Sequence, residues 1–120
     1  WIKQPEDLSQ ARDLYIDGSI YVLKADGSLL KFYTGNIQEY QAPALLPAMD
    51  DASRLIGSDK YLYIFSPGSK RLAVIAKQDG HLISQYRFDS LPQMDDIVLS
   101  GDGKTAYILS GEKVYQANLD

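Results

Sequence analysis

Two short acidic clusters are the residues best placed to do chemistry. Leu46-Pro47-Ala48-Met49-Asp50-Asp51 and Leu91-Pro92-Gln93-Met94-Asp95-Asp96 agree at five of six positions across a spacing of 45. Each sets a pair of carboxylates ahead of an apolar run. Carboxylates converging from successive units make an oxygen-rich site for a hard cation such as Ca²⁺, which takes about six to eight oxygen ligands. Asp50, Asp51, Asp95 and Asp96 are therefore the candidate binding residues, with Asp50 and Asp95 as the metal candidates, and the same charge would attract a basic partner. The competing role is structural and commoner: an Asp ahead of a strand hydrogen-bonds nearby backbone and shapes the loop. Asp13 stands without a second carboxylate in the first third of the chain, which breaks the symmetry of any metal ring.

Other chemistry-bearing residues fit no catalytic pattern. Gly103-Lys104-Thr105 has the ending of a phosphate-binding loop, but Val98 stands where that loop needs its first glycine, and a β-rich run follows where a helix is required. His81 is the single imidazole and comes directly after Asp79-Gly80, the position of an exposed turn residue. There is no cysteine, and neither a Gly-x-Ser-x-Gly elbow nor a His-Glu-x-x-His helix occurs. The catalytic set is therefore empty. Net charge is −4, and the bases are scattered, with only Lys70 and Arg71 adjacent. No basic stripe exists to follow a phosphate backbone, so nucleic acid is not expected. No apolar run approaches the roughly 20 residues of a membrane-spanning helix.

The elements that position these residues read as short antiparallel strands. Asp17-Gly18, Asp26-Gly27, Asp79-Gly80 and Asp102-Gly103 each lie between β-rich runs, and Asp-Gly supplies the positive φ that tight hairpins use. The first unit, about residues 7–41, reads as strands at 12–16, 20–23, 29–33 and 37–41. The second, about 49–88, has strands at 54–56, 61–65, 71–76 and 81–88, and the third, about 94–120, at 97–99, 105–109 and 114–119, one strand short. The second strand of each unit carries four consecutive apolar residues: Ile20 to Leu23, Leu62 to Phe65 and Ala106 to Leu109. Such a strand leaves no solvent face and must be covered on both sides. Its tyrosines, Tyr21, Tyr63 and Tyr107, recur at intervals of 42 and 44 and are expected in the core. Four-stranded sheets at this period, buried on both faces, predict an all-β chain of about three propeller-like blades spanning residues 1–120 as one unit.

The stretch from Tyr61 to Tyr86 resembles NHL-type propeller repeats. An apolar strand leads to a small polar turn at Ser66 to Ser69, then Arg71 opens the next strand and Asp79-Gly80 makes the hairpin into the last. The first unit lacks the arginine, and the third puts Ser110-Gly111-Glu112 at the turn. The chain is also similar to propeller segments of uncharacterised bacterial proteins. The resemblance implies a propeller fold and, among relatives, protein-binding modules, receptor sensor domains, RNA-binding domains and a few lyases or lactonases. A fold so widely reused constrains function weakly. The expectation is a non-enzymatic platform for a protein or peptide partner without a resident cofactor; the alternative is a propeller enzyme of lactonase or lyase type using a divalent cation, Ca²⁺, at Asp50 and Asp95. The chain begins with Trp1 rather than Met, so it is expected to be a piece of something longer, its cellular location left open. A period near 44 in 120 residues makes an incomplete ring. Trp1 to Lys3 is expected to supply the missing strand, with two chains joining head to tail as a six-bladed homodimer.

Overall fold

The structure, a computed structural model, describes residues 11–38, 52–101 and 103–119. Among the described residues all regular structure is β. The strands β1 (Ala11–Ile16), β2 (Ile20–Lys24), β3 (Leu29–Tyr33) and β4 (Asn36–Gln38) pair in chain order into one antiparallel sheet. A second four-stranded sheet follows from β5 (Arg54–Gly57), β6 (Tyr61–Ser66), β7 (Arg71–Ala76) and β8 (Leu82–Arg87). The third has β9 (Asp96–Leu99), β10 (Thr105–Ser110) and β11 (Lys113–Asn118). No helix of the described residues is long and apolar enough to cross a membrane. The expected strands fall within a residue or two of these, except that residues 39–41 of the fourth strand, the segment Trp1 to Lys3, and Asp50 and Asp51 lie outside the described residues.

Turn chemistry explains why the chain doubles back where it does. Gly27, Gly80 and Gly103 take positive φ, as does the Thr34-Gly35 pair between β3 and β4, the region open to glycine without steric cost. Gly18 is the exception among the Asp-Gly sites, because it has no positive φ. Its turn is held instead by the Asp17 carboxylate, which accepts the Ser19 amide at 2.9 Å. The same brace recurs where Asp26 accepts the Ser28 amide at 2.9 Å and where Asp79 accepts that of His81 at 3.1 Å. These short loops fix the register that decides which side chains share a face.

The middle sheet is buried on both sides. Leu62, Ile64, Ala73 and Ile75 pack with Tyr21, Leu23, Leu29, Ala52 and Leu55 in one core between the first two sheets. The alternate residues Tyr63, Phe65, Leu72 and Val74 pack with Leu91, Met94, Ile97, Ala106, Ile108 and Leu119 in a second core. Every apolar side chain at these eight positions of β6 and β7 is therefore out of water, each contributing roughly 1.5–3 kcal/mol when large. The four-apolar-residue rule holds fully here. It fails in β10, where Ala106 and Ile108 are buried but Tyr107 and Leu109 are 41% and 40% exposed. Tyr107 is thus not a core residue, unlike Tyr21 and Tyr63. The register gives the reason: Tyr21, Tyr63 and Tyr107 sit opposite Tyr15, Ile56 and Val98, and no described residue packs over the third sheet on that side. Val98 and Val114 share the open face, and Leu14 and Ile16 of β1 open the opposite end.

Polar ties join the first strands of successive sheets. One oxygen of Asp13 in β1 accepts the neighbouring Leu14 amide at 2.9 Å, and the other accepts Leu55 N–H of β5 at 2.8 Å. In the same register, Arg54 of β5 donates to the Ile97 carbonyl of β9 at 3.1 Å and pairs with the Asp96 carboxylate. Gly57 lets β1 and β5 approach closely, because a Cβ there would overlap the Tyr15 ring.

Candidate functional site

The acidic residues singled out by the sequence serve the loop. Asp95 donates its amide to the Leu109 carbonyl at 2.8 Å, while its carboxylate accepts Gly111 N–H at 2.7 Å and the Gln93 side-chain amide at 2.8 Å. The Gln93 and Gly111 bonds hold its carboxyl below the usual range, as hydrogen bonds to the charged form do. Asp96 points to a different set of partners, accepting the Ile97 amide at 2.8 Å and pairing with Arg54. The two neighbours are thus spent on separate ties rather than converging on one point. Among the described residues no group of three or more His, Cys, Asp or Glu side chains could hold a metal ion. Asp50 and Asp51 fall outside the described residues.

His81 and the Gly103 turn behave as turn residues. The imidazole Nδ1 meets the Asp79 carboxylate at 2.5 Å with its side chain 59% exposed, and the flanking Asp79 carboxyl is lowered by the His81 backbone and side-chain bonds. Ser100 and Gly103 close the hairpin into β10, Ser100 N–H donating to the Thr105 carbonyl and Gly103 N–H to the Ser100 carbonyl, each at 2.9 Å. No nucleophile, base and orienting group meet there.

What sequence reasoning missed lies at one end of the sheets. The turn from Ser58 to Tyr61 stands between two clefts of about 520 Å³ each. The first cleft, between sheets one and two, is walled by Tyr21, Lys31, Lys60, Tyr61, Lys77 and His81. The second lies between sheets two and three, against Ile56, Tyr61, Tyr63, Leu99, Gly101 and Gly103. The dividing turn is rigid: Ser58 N–H donates to the Tyr61 carbonyl at 2.9 Å, and Lys77 N–H to the Lys60 carbonyl at 2.9 Å, which fastens the two turns of the middle sheet together. Tyr61 and Tyr63 meet edge to face at 6.4 Å, the arrangement that ring quadrupoles favour.

Charge in the first cleft is set by an ion pair and two aromatic contacts. Lys77 Nζ lies 2.5 Å from the Asp17 carboxylate and 5.2 Å from the Tyr15 ring centroid, while Lys31 Nζ lies 5.4 Å from that of Tyr21. Burial pushes Asp17 up, but the Lys77 hydrogen bond, the Ser19 amide and the Lys77 charge outweigh it and hold the carboxyl low. Burial pulls Lys77 down, and the Asp17 bond and charge outweigh it and raise the ammonium above its usual value. Burial, then the nearby Asp17 charge, raises the Tyr21 phenol, and burial raises that of Tyr63. Both rings stay neutral and present uncharged hydroxyls. The signal for these clefts was present in the tyrosine count of nine, but pairing Tyr21 and Lys31 with Lys60 and Lys77 needs the sheet-to-sheet packing. No family model matches the chain, and none of the curated proteins matches it.

Proposed function

We propose that the three sheets are blades of an incomplete β-propeller of NHL type, and that the chain is a non-enzymatic platform for a protein or peptide partner. The observation that carries this reading is the pair of tyrosine-walled clefts flanking the Ser58–Tyr61 turn, set on a rigid base in which the middle sheet is buried by both neighbours. Loops held by such a base are where binding residues concentrate. Tyrosine suits an interface because it offers a large apolar face and a polar edge at little cost in conformational freedom.

The open outer faces support the assembly part of the proposal. Val98, Tyr107, Leu109 and Val114 at one end, and Leu14 and Ile16 at the other, are apolar side chains in water, a face that invites a further sheet. Asp96 repeats the local bond of Asp13, its Oδ1 accepting the next residue's amide. Among the described residues its Oδ2 has no partner, whereas Oδ2 of Asp13 reaches Leu55 in the adjoining sheet. A second copy docked head to tail would place Leu14 where Leu55 sits and complete a six-bladed ring.

Selection of phage-displayed peptides on the immobilised chain, followed by hydrogen exchange of the complexes, tests the platform. Protection is expected at residues 58–63, with 77–81 or 100–104. Binders that protect only the outer face of β9 to β11, or a selection that enriches nothing, would defeat it. Sedimentation at micromolar concentration tests the ring, for which a well-behaved monomer is fatal.

A further inference from the structure

We infer that the Asp17-Gly18 turn between β1 and β2 is a site of spontaneous covalent modification, at which the Gly18 amide nitrogen closes on the Asp17 side chain and converts that residue to isoaspartate. Asp followed by Gly is open to this ring closure because glycine has no side chain to hinder the attacking nitrogen. The chain holds four such pairs, and the structure sets one apart. The Gly27, Gly80 and Gly103 amides donate to the carbonyls of Lys24, Ala76 and Ser100 at 2.9, 2.8 and 2.9 Å, each at a positive φ. Gly27 and Gly80 are also buried, and Gly103 is half-buried. Gly18 is exposed, has no positive φ and donates its amide to the Asp17 carboxylate. Among the described residues no backbone carbonyl takes that amide. A Cβ built on Gly18 would meet nothing within 4 Å, so the turn has room for the ring and for water.

The step needs no co-reactant but water. The Gly18 nitrogen forms a bond to Asp17 Cγ, a Cγ–O bond breaks, and the hydroxyl departs as water with the proton of the Gly18 amide. The product is a succinimide ring. Water then opens it at either carbonyl: cleavage at Cγ restores aspartate, and cleavage at the main-chain carbonyl leaves the chain running through the β-carboxyl. Mass and charge return to those of the parent, and nothing is oxidised or reduced. A neutral carboxyl loses hydroxyl far more readily than a carboxylate loses oxide, so the protonated acid is the reactive form. Lys77 is therefore the brake. Its Nζ sits 2.5 Å from the Asp17 carboxylate, and against the upward push of burial its bond and charge, with the Ser19 amide, hold the carboxyl low. The Tyr21 phenol on β2 also faces Asp17, and beyond Lys77 stands the Tyr15 ring on β1. Isomerisation lengthens the main chain by a methylene and shortens the carboxylate's stem by the same group, which displaces the carboxylate from both the Lys77 pair and the Ser19 brace.

Ageing of the full chain in mildly acidic buffer tests this. Trypsin releases the four pairs in separate peptides, 13–24, 25–31, 78–87 and 88–104, and electron-transfer fragmentation distinguishes isoaspartate from aspartate in each. Peptide 13–24 is expected to accumulate isoaspartate about fivefold faster than the other three, whose amides must first leave their carbonyls through local opening. In urea the four rates should converge. Lys77→Gln should speed the reaction at Asp17 about fivefold by letting its carboxyl protonate, with the other three rates unchanged. Should that variant unfold the chain, all four rates rise together and Gly18→Ala replaces it. The open space and ordinary φ at this position accommodate a methyl, which should crowd the attacking nitrogen and slow the reaction at Asp17 about tenfold. A faster rate at any other pair, equal rates at all four in the folded chain, or no isoaspartate at Asp17 overturns the inference. A rate at Asp17 that Lys77→Gln leaves unchanged or lowers in a folded chain overturns the part given to Lys77.

Discussion

Tyr63 and Tyr107 occupy the same register on β6 and β10, one opposite Ile56 and the other opposite Val98, and differ only in what lies above them. Tyr63 is 3% exposed within the core between sheets two and three, whereas Tyr107 faces water. Replacing each by alanine isolates the worth of a covering sheet. Tyr63→Ala removes a buried ring from a close-packed site, and large-to-small changes of aromatic core residues cost about 3–5 kcal/mol. Tyr107→Ala loses only cross-strand contact with Val98 and Gln116, about 0.2–1 kcal/mol. With a urea slope of about 1–3 kcal/mol per molar for a domain of this size, the first variant should lower the midpoint by about 2 M and the second by less than about 0.5 M. Equilibrium unfolding at submicromolar protein reads both. If the chain assembles through that face, the cost of Tyr107→Ala must grow with protein concentration, because association stabilises only the folded form. Equal costs at high dilution would refute the placement of Tyr107 on an open face, and with it the reasoning from register to exposure.

Three other outcomes follow from particular contacts. The Asp17–Lys77 pair links stability to pH at both extremes. The lowered Asp17 carboxyl contributes above its ordinary value of 3.8 and loses that contribution as pH falls through its folded value, while raised Lys77 contributes below 10.5 and loses it as pH rises past its own. Asp17→Asn should therefore flatten the acid limb of a midpoint-against-pH curve, and an unchanged limb would show the pair to be inert. Gly57→Ala and Gly103→Ala should each destabilise by at least about 1 kcal/mol: the first drives a methyl into the Tyr15 ring, and the second meets the Tyr63 hydroxyl at 2.7 Å at a positive φ. Thermal melts showing either variant as stable as the parent would count against those approaches. Arg71 is 1% exposed and donates to Gln85 Oε1 at 3.0 Å. Gln85→Leu strips a buried guanidinium of that acceptor and should cost about 1–3 kcal/mol, whereas a loss below about 0.5 kcal/mol would show the bond to be replaceable.

The strands were legible in the sequence because two independent signals mark them out. Asp-Gly and Thr-Gly turns mark the ends, and consecutive apolar residues mark the interior of β2, β6 and β10. The same signals overstated burial at Tyr107 and Leu109. A four-residue apolar run reports that cover is needed, but whether a neighbour supplies it depends on long-range packing. Asp95 and Asp96 were legible as a repeated pair, yet the sequence could not say whether paired carboxylates converge. Their separate partners, Gly111 and Gln93 for one and Arg54 for the other, come from segments 16, 2 and 42 residues away. Arg71 was legible as the opener of its strand, though not as a buried charge. The clefts were illegible for the same reason, because their walls are side chains from different sheets whose proximity has no trace in local spacing.

The Ser58–Tyr61 turn has one further consequence. Because Tyr61 lines the cleft on each side of it, ligands filling both clefts would share one aromatic wall. Were a ligand on one side to displace that ring, the effect on the other side would be reciprocal, the same whichever cleft filled first. The backbone bond that ties Lys77 to Lys60 restrains the turn itself, so such an effect would have to pass through the ring. A partner long enough to span both clefts would then meet one shared aromatic divider, and its second contact would be conditioned by its first.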